Sequence, residues 1–180
     1  MSQIIFLHGA SSSGNKTLAR ALQRAAEVPF WHISIDHLRD SGVLPMRRFQ
    51  SREFDWSIER GKFFDGFHAS LAAYANAGNN LIIEHILDTP EWAEMLKRHL
   101  AGHDVLFVAV HCPTDLLIER EMARGDREQG SAVSDQLVIH IGRVFDLEVN
   151  SMDDIDGNVD LILDAWRNGT RSSEFAPQEG

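Results

Sequence analysis

The chain has 180 residues, 43% of them apolar, and it carries 17 lysines and arginines against 27 aspartates and glutamates. This length suits one globular domain that needs neither disulfides nor a structural metal, and the single cysteine excludes an intramolecular disulfide. The net charge of -10 argues against a general nucleic-acid-binding protein, because such proteins cluster lysine and arginine against the phosphate backbone.

Apolar runs without polar alternation predict five strands, at residues 3–7, 30–35, 80–87, 104–110 and, for a short last strand, within 145–149. Runs of this kind are typical of strands that are covered on both faces. The segments between them have the apolar spacing of helices. The sequence therefore predicts an α/β fold, a three-layer sandwich in which crossover helices cover a five-stranded parallel sheet.

The intervening helices are predicted from apolar residues at helical spacing. The longest helix ends near Gly78, and one of its faces carries Trp56, Phe63, Phe67, Leu71 and Tyr74. Other helices are predicted after residue 14, from Pro90 behind a Thr89 cap, over 116–123, over 131–142, and over 158–166 with Leu161, Ile162 and Ala165 turned inward.

The domain organisation is simple, because no repeat or linker divides the chain. We predict one domain over residues 1–168 and expect the polar, proline-containing segment 169–180 to be disordered. No signal peptide precedes the first strand and no apolar stretch is long enough to span a membrane, so we expect a cytoplasmic protein without membrane association. The oligomeric state stays open, a homo-oligomer included.

A glycine- and serine-rich segment lies between the first strand and the first helix, where a phosphate loop belongs. Such loops use small residues so that backbone N–H groups can surround phosphate oxygens, while the helix N-terminus adds partial positive charge. A lysine then reaches the outer phosphates and a hydroxyl binds Mg²⁺. The predicted nucleotide-binding residues are Gly9, Ala10, Ser11, Ser12, Ser13, Gly14, Asn15, Lys16 and Thr17.

The phosphate loop is irregular, because Asn15 follows the second glycine where the lysine is usual, and Lys16 comes one residue late. If the loop keeps its register from Gly9, the phosphate lysine is missing. If the register is shifted, Lys16 reaches the phosphates, Thr17 binds the metal, and Asn15 stands in for a glycine as a residue that tolerates a left-handed backbone. We favour the register counted from Gly9.

Two acidic residues end predicted strands and are expected to face the ligand crevice, since ligands of parallel sheets bind at the carboxyl ends of strands. Asp36 could accept a hydroxyl proton, or it could cap the following helix. Glu84 could hold Mg²⁺ through water or orient the substrate, or it could bind neighbouring loop backbone.

Three arginines, Arg120, Arg124 and Arg127, are spaced four and three residues apart and lead into a glycine-containing segment. We expect a lid around residues 120–131 whose arginines neutralise a transferring phosphoryl group. The alternative is a solvated helix whose positive charges are balanced by neighbouring acidic residues.

The chain resembles the chloramphenicol phosphotransferase-like proteins, P-loop kinases that phosphorylate a hydroxyl of a small molecule. The resemblance runs from residue 4 to about 166, through LHGASSSG at 7–14, IDHL at 35–38, LIIE at 81–84 and, most specifically, REMARGDR at 120–127, and His140 and 145–149 resemble a later segment. It implies a P-loop NTPase fold of the nucleoside-monophosphate-kinase-like type. It also implies that Asp36 is the general base, and that Arg124 and Arg127 are lid arginines.

The function expected from these features is an ATP- and Mg²⁺-dependent phosphotransferase with a small-molecule alcohol as acceptor. One alternative is a nucleotide-binding protein whose irregular loop impairs catalysis, and another is a nucleotide or metabolite kinase with the same mechanism. The acceptor pocket is expected among the aromatic residues Trp31, Trp56, Phe63 and Phe64.

Overall fold

Five parallel strands form a single sheet in the order β2-β3-β1-β4-β5 in the computed structural model, which describes residues 1–124 and 131–176. The strands are β1 (Gln3–His8), β2 (Phe30–Ser34), β3 (Asn80–Glu84), β4 (Asp104–His111) and β5 (Leu147–Asn150). The helices are α1 (Asn15–Ala25), α2 (Ile35–Asp40), α3 (Met46–Gln50), α4 (Trp56–Asn76), α5 (Pro90–His99), α6 (Thr114–Arg124), α7 (Ser131–Val138) and α8 (Ile155–Asn168). The predicted α/β sandwich with a five-stranded parallel sheet is confirmed.

Alternate residues of the central strand pack against helices on opposite faces of the sheet, which explains its uninterrupted apolar sequence. Ile4 and Phe6 belong to a buried cluster with residues of α4 and α5, whereas Ile5 and Leu7 pack with residues of α1 and α8. The register places Leu7 opposite Glu84 of β3 and opposite Val108 of β4. The carboxyl ends of β1, β3 and β4 therefore meet at one edge of the sheet.

The segment after α8 is ordered through Ala176, so the prediction of a disordered tail from residue 169 is wrong for this part. Arg171 forms an ion pair with Asp104 at 2.8 Å, and Asp146 Oδ1 accepts hydrogen bonds from the backbone N–H groups of Ser172 and Ser173. Phe175 is buried, with its ring 4.8 Å from that of Phe107. A single aromatic anchor and a few charge-assisted contacts hold a segment whose average composition is polar.

Several element boundaries differ from those predicted. The third strand ends at Glu84 rather than at residue 87, although Leu87 is buried in the core. The last helix begins at Ile155 because the Asp154 carboxylate accepts a hydrogen bond from the Gly157 N–H at 3.0 Å. Leu161 on that helix is exposed and not turned inward, whereas Ile162 is buried. Within residues 1–124 and 131–176, no helix is both long and apolar enough to cross a membrane.

Candidate active site

The phosphate loop joins β1 to α1 in a tight turn. Ser12 has a φ of 64° and Gly14 a φ of 105°, so two residues of the loop have a left-handed backbone. A Cβ atom at Gly9 would lie 2.7 Å from the Val110 carbonyl oxygen, which leaves room only for glycine. The turn closes through a 3.1 Å hydrogen bond from the Ser13 N–H to the Ala10 carbonyl. The N-terminus of α1 therefore faces the loop, which is the geometry of an anion site.

Asn15 occupies the first position of α1, directly after Gly14. Its side chain is buried, and Nδ2 donates a hydrogen bond to the Gly9 carbonyl oxygen at 3.0 Å. Asn15 is helical and does not have the left-handed backbone that the shifted register requires of it. The loop thus has the register counted from Gly9, in which Asn15 stands at the lysine position and the exposed Lys16 stands at the hydroxyl position.

Unpartnered hydroxyl groups and one arginine surround the loop. Among the described residues, the buried hydroxyls of Ser12, Ser13 and Ser151 have no hydrogen-bond partner. Arg120 of α6 donates to the Ser12 carbonyl oxygen at 3.2 Å, so its guanidinium lies against the loop. Buried polar groups without partners are costly unless a ligand or water satisfies them. These groups could donate to the oxygen atoms of a bound phosphate.

A cavity of about 790 Å³ lies at the carboxyl ends of the strands and connects the loop with the other predicted groups. This volume falls within the range of roughly 300–1,000 Å³ that small-molecule sites occupy. Its lining includes loop residues 10–12 and 14–17, and it also includes Asp36, Arg39, Glu84 and Arg120. The structure thus brings Asp36, Glu84 and Arg120 to the loop. Arg127 and the side chain of Arg124 lie outside the described residues.

Asp36 is the second residue of the short helix α2 and does not cap it. The cap is Ser34, whose hydroxyl accepts a hydrogen bond from the Asp36 N–H at 3.2 Å. The Asp36 carboxylate forms an ion pair with Arg39 at 3.2 Å, and both residues line the cavity. Sequence reasoning missed Arg39, although its spacing of three residues from Asp36 on a helix was the available signal.

Glu84 pairs with an imidazole rather than with loop backbone, since its Oε2 atom lies 3.0 Å from Nε2 of His32. The His37 ring packs against His32 with a centroid separation of 4.6 Å. Burial, followed by the charge of His32, lowers the pKa of His37, and the positive charge of Lys16 acts in the same direction.

The wall of the cavity opposite the loop is aromatic. Phe64 and Trp92 contact each other with ring centroids 4.1 Å apart, and His85 stacks on Trp92 at 5.3 Å. Arg60 lies over the Trp92 ring at 4.6 Å and pairs with Asp88 at 2.9 Å. Burial lowers the pKa of His85 well below its ordinary value, so this wall presents a neutral imidazole.

Of the four aromatic residues predicted to form the acceptor pocket, only Phe64 lines this cavity. Trp56 and Phe63 line a separate apolar groove of about 650 Å³ beside α3 and α4. Trp31 is half exposed and packs against Tyr74. Helical spacing groups these residues correctly as one apolar set, but it does not say which part of the face lies next to the phosphate loop.

Comparison with known proteins identifies the family. The chloramphenicol phosphotransferase-like family profile matches residues 2–167. The chain belongs to this family. A Mycobacterium tuberculosis protein of strain H37Rv, named "Putative O-phosphotransferase Rv2636", is 27% identical over 168 residues, with 83% of this chain and 75% of the relative covered.

Solved structures of P-loop kinases share the fold of this family member. The Mycobacterium tuberculosis APS kinase CysC, in complex with AMPPNP and APS, matches with a TM-score of 0.70 at 16% identity, over 93% of this chain and 98% of that one. A gluconokinase from Sinorhizobium meliloti matches with a TM-score of 0.64 at 20% identity, over 92% of this chain and 91% of that one. These likenesses confirm the predicted P-loop kinase fold.

The residues that would ligate Mg²⁺ in a P-loop kinase do not fit that ion in this family member. The loop position that normally supplies a hydroxyl ligand carries the Lys16 ammonium, which repels a cation. Thr17 is one residue further along α1, and Glu84 is already paired with His32. The described part of the chain also holds no cluster of three histidine, cysteine, aspartate or glutamate residues suited to a metal.

Proposed function

We propose that the protein is an ATP-dependent phosphotransferase that transfers the γ-phosphate to a hydroxyl group of a small molecule. The observation that carries this proposal is the shared cavity, because the phosphate loop and the Asp36–Arg39 pair line the same space. Membership of the chloramphenicol phosphotransferase-like family supports a kinase or phosphotransferase. The proposal adds ATP as the donor and an alcohol as the acceptor.

The loop binds the phosphate groups of ATP through its backbone N–H groups, the N-terminus of α1 and the hydroxyl of Ser12, which lines the cavity. The guanidinium of Arg120 contributes positive charge beside the loop. The nucleoside lies toward Ser151 and Asn158, which line the cavity near the end of β5 and the start of α8. The acceptor lies on the other side of the loop, between Asp36 and the aromatic wall.

Asp36 is the general base of the proposed reaction. Its carboxylate accepts the proton of the acceptor hydroxyl while the hydroxyl oxygen forms a bond to the γ-phosphorus. The bond between the γ-phosphorus and the β,γ-bridging oxygen breaks, and ADP leaves. Arg39 acts as a positioning residue, because its ion pair with Asp36 holds the carboxylate at the edge of the cavity.

The aromatic wall favours an acceptor with an apolar or planar part next to its hydroxyl group. Phe64 and Trp92 are buried and supply flat apolar surface, while Nε2 of the neutral His85 already lies 2.9 Å from Nε2 of His68.

A second candidate, a nucleotide-binding protein with impaired catalysis, is favoured by one observation. The neutral side chain of Asn15 occupies the lysine position and is held against Gly9. Such a protein would bind ATP without transferring its phosphate.

Two measurements on the same sample separate the candidates. Calorimetry measures ATP binding, and a coupled assay measures ADP formation with and without a panel of aromatic and aliphatic alcohols. A phosphotransferase binds ATP and forms ADP faster in the presence of at least one alcohol. Binding without acceptor-dependent ADP formation would support the second candidate, and the absence of binding would contradict both.

A further inference from the structure

Lys16 stands where a phosphate loop normally places the hydroxyl ligand of Mg²⁺. The helix α1 begins at Asn15, immediately after Gly14, so Lys16 is its second residue. In the usual loop the residue after the lysine carries this hydroxyl. With the register fixed by the start of α1, the exchange of Asn15 and Lys16 removes both the usual phosphate lysine and the usual metal ligand.

The ammonium group of Lys16 is available to a ligand. Lys16 is exposed and lines the cavity, and it forms no hydrogen bond or ion pair with another residue in the described ranges. Ser34 and Glu84, which end β2 and β3, line the same cavity as Lys16.

The nucleotide must still meet positive charge, because a triphosphate carries several negative charges. Asn15 contributes none, and the chain as a whole has a net charge of -10. The described cations that line the cavity are Lys16, Arg39 and Arg120, and Arg39 is already paired with Asp36. Lys16 is the second residue of α1 and so stands at the helix N-terminus. Among the described residues, it has no carboxylate partner.

We propose that Lys16 replaces Mg²⁺ as the cation at the outer phosphates, so that this site binds nucleoside triphosphate without a divalent cation. The inference rests on the proposed function, since it requires that the loop bind ATP. An ammonium and a hydrated Mg²⁺ compete for the same phosphate oxygens, and the fixed ammonium repels the ion. In this proposal the unusual loop keeps its phosphate-binding site, and the Lys16 ammonium takes the place of Mg²⁺ there.

The test is calorimetry of the non-hydrolysable analogue AMPPNP, with EDTA in one series and with excess Mg²⁺ in the other. For the wild type, the dissociation constant of AMPPNP measured in EDTA is expected to agree within about threefold with the one measured in Mg²⁺. Lys16→Ser introduces the usual hydroxyl and removes the ammonium. It is expected to bind about tenfold more weakly in EDTA, as the loss of one charge-assisted contact predicts, and to regain affinity on addition of Mg²⁺.

Two further variants control the experiment. Lys16→Arg keeps a cation at the position and is expected to bind AMPPNP in EDTA, which separates a loss of charge from a loss of folding. Lys62→Ser removes an exposed lysine that pairs with Glu59 on α4, and it is expected to behave as the wild type in both series.

The outcomes distinguish this inference from the proposed function. Wild-type binding that is tenfold or more tighter with Mg²⁺ than with EDTA would overturn the inference and leave the phosphotransferase proposal intact. No wild-type binding in either series would overturn both. Equal loss of binding in Lys16→Ser and Lys16→Arg would also count against a cation role for Lys16.

Discussion

The side-chain amide of Asn15 donates a hydrogen bond across the phosphate loop to the carbonyl oxygen of Gly9 at 3.0 Å. This contact ties the first residue of α1 to the first glycine of the loop. In the usual loop a lysine at this position reaches the outer phosphates, whereas Asn15 is a short, neutral side chain. Among the described residues that line the cavity, the lysine and arginine side chains outside the Asp36–Arg39 pair are Lys16 and Arg120.

Restoring the usual loop tests this description of the site. In the register observed, Asn15→Lys combined with Lys16→Ser recreates a lysine followed by a hydroxyl, and we expect the double variant to transfer phosphate faster than the wild type in the presence of Mg²⁺. The comparison uses initial rates of ADP formation at saturating ATP. A double variant slower than the wild type would contradict this description of the loop.

Replacing the proposed general base should slow the chemical step and spare nucleotide binding. We expect Asp36→Asn to lower kcat by roughly 10²- to 10⁴-fold, the range for loss of a general base, with ATP affinity nearly unchanged. Asp40→Asn is the matched control, because Asp40 also contacts Arg39, at 3.1 Å, but does not line the cavity. Equal turnover in the two variants would remove Asp36 from the catalytic machinery.

Arg120 should affect both the loop and the nucleotide. Its guanidinium contacts the Ser12 carbonyl, so Arg120→Ala removes a positive charge and loosens the loop. We expect ATP to bind about tenfold more weakly, since a charge-assisted contact contributes on that order. Arg98→Ala on the exposed side of α5 serves as the control. Unchanged affinity in Arg120→Ala would place the phosphates away from α6.

The sequence predicts the sheet well because buried parallel strands need continuous apolar residues. The same reasoning extends β3 too far, since Ile86 and Leu87 continue the apolar run while belonging to the connection that follows the strand. An apolar run predicts which residues are buried, whereas the end of a strand is determined by backbone hydrogen bonds to the neighbouring strands. Phe175 is the converse case, because one buried ring anchors a segment of polar average composition.

The position of the phosphate loop, Asp36 and Glu84 in one cavity follows from sequence, since the carboxyl ends of parallel strands meet at one edge. The partners of these residues do not follow in the same way. The contact between Glu84 and His32 depends on the register of β2 against β3, which places Ser34 opposite Glu84. The aromatic wall depends on how α4 and α5 pack, and spacing along one helix carries no such information.

Acidification should destabilise the protein through its buried histidines. Burial lowers the pKa of His8 to about 4, below its ordinary value of 6.5, so the folded state keeps this ring neutral where the unfolded state binds a proton. The free energy of unfolding is therefore highest above pH 6.5. Between pH 6.5 and pH 4 it decreases by roughly 1.4 kcal/mol per pH unit for each histidine whose pKa is lowered in this way. Urea denaturation at several pH values measures the slope, and NMR titration of His8 with a midpoint near 6.5 would contradict the assignment.

The C-terminal segment should contribute to stability through Phe175. Phe175 packs with Phe6 and Phe107, and Phe175→Ala is expected to lower the free energy of unfolding by about 3 kcal/mol. Urea denaturation of the variant and the wild type checks this, and a Phe175→Ala protein as stable as the wild type would contradict the packing.

The most direct test of the proposed phosphotransferase is transfer of labelled phosphate from ATP to an alcohol. The wild type is incubated with ATP labelled at the γ-position and the acceptor panel, and the products are separated and identified by mass spectrometry, with Asp36→Asn in parallel. We expect label on the hydroxyl of at least one acceptor in the wild type and a loss of that product in Asp36→Asn. ATP that binds to the wild type while no acceptor gains label, even with the Asn15→Lys, Lys16→Ser double variant, would contradict phosphoryl transfer as the function of this site.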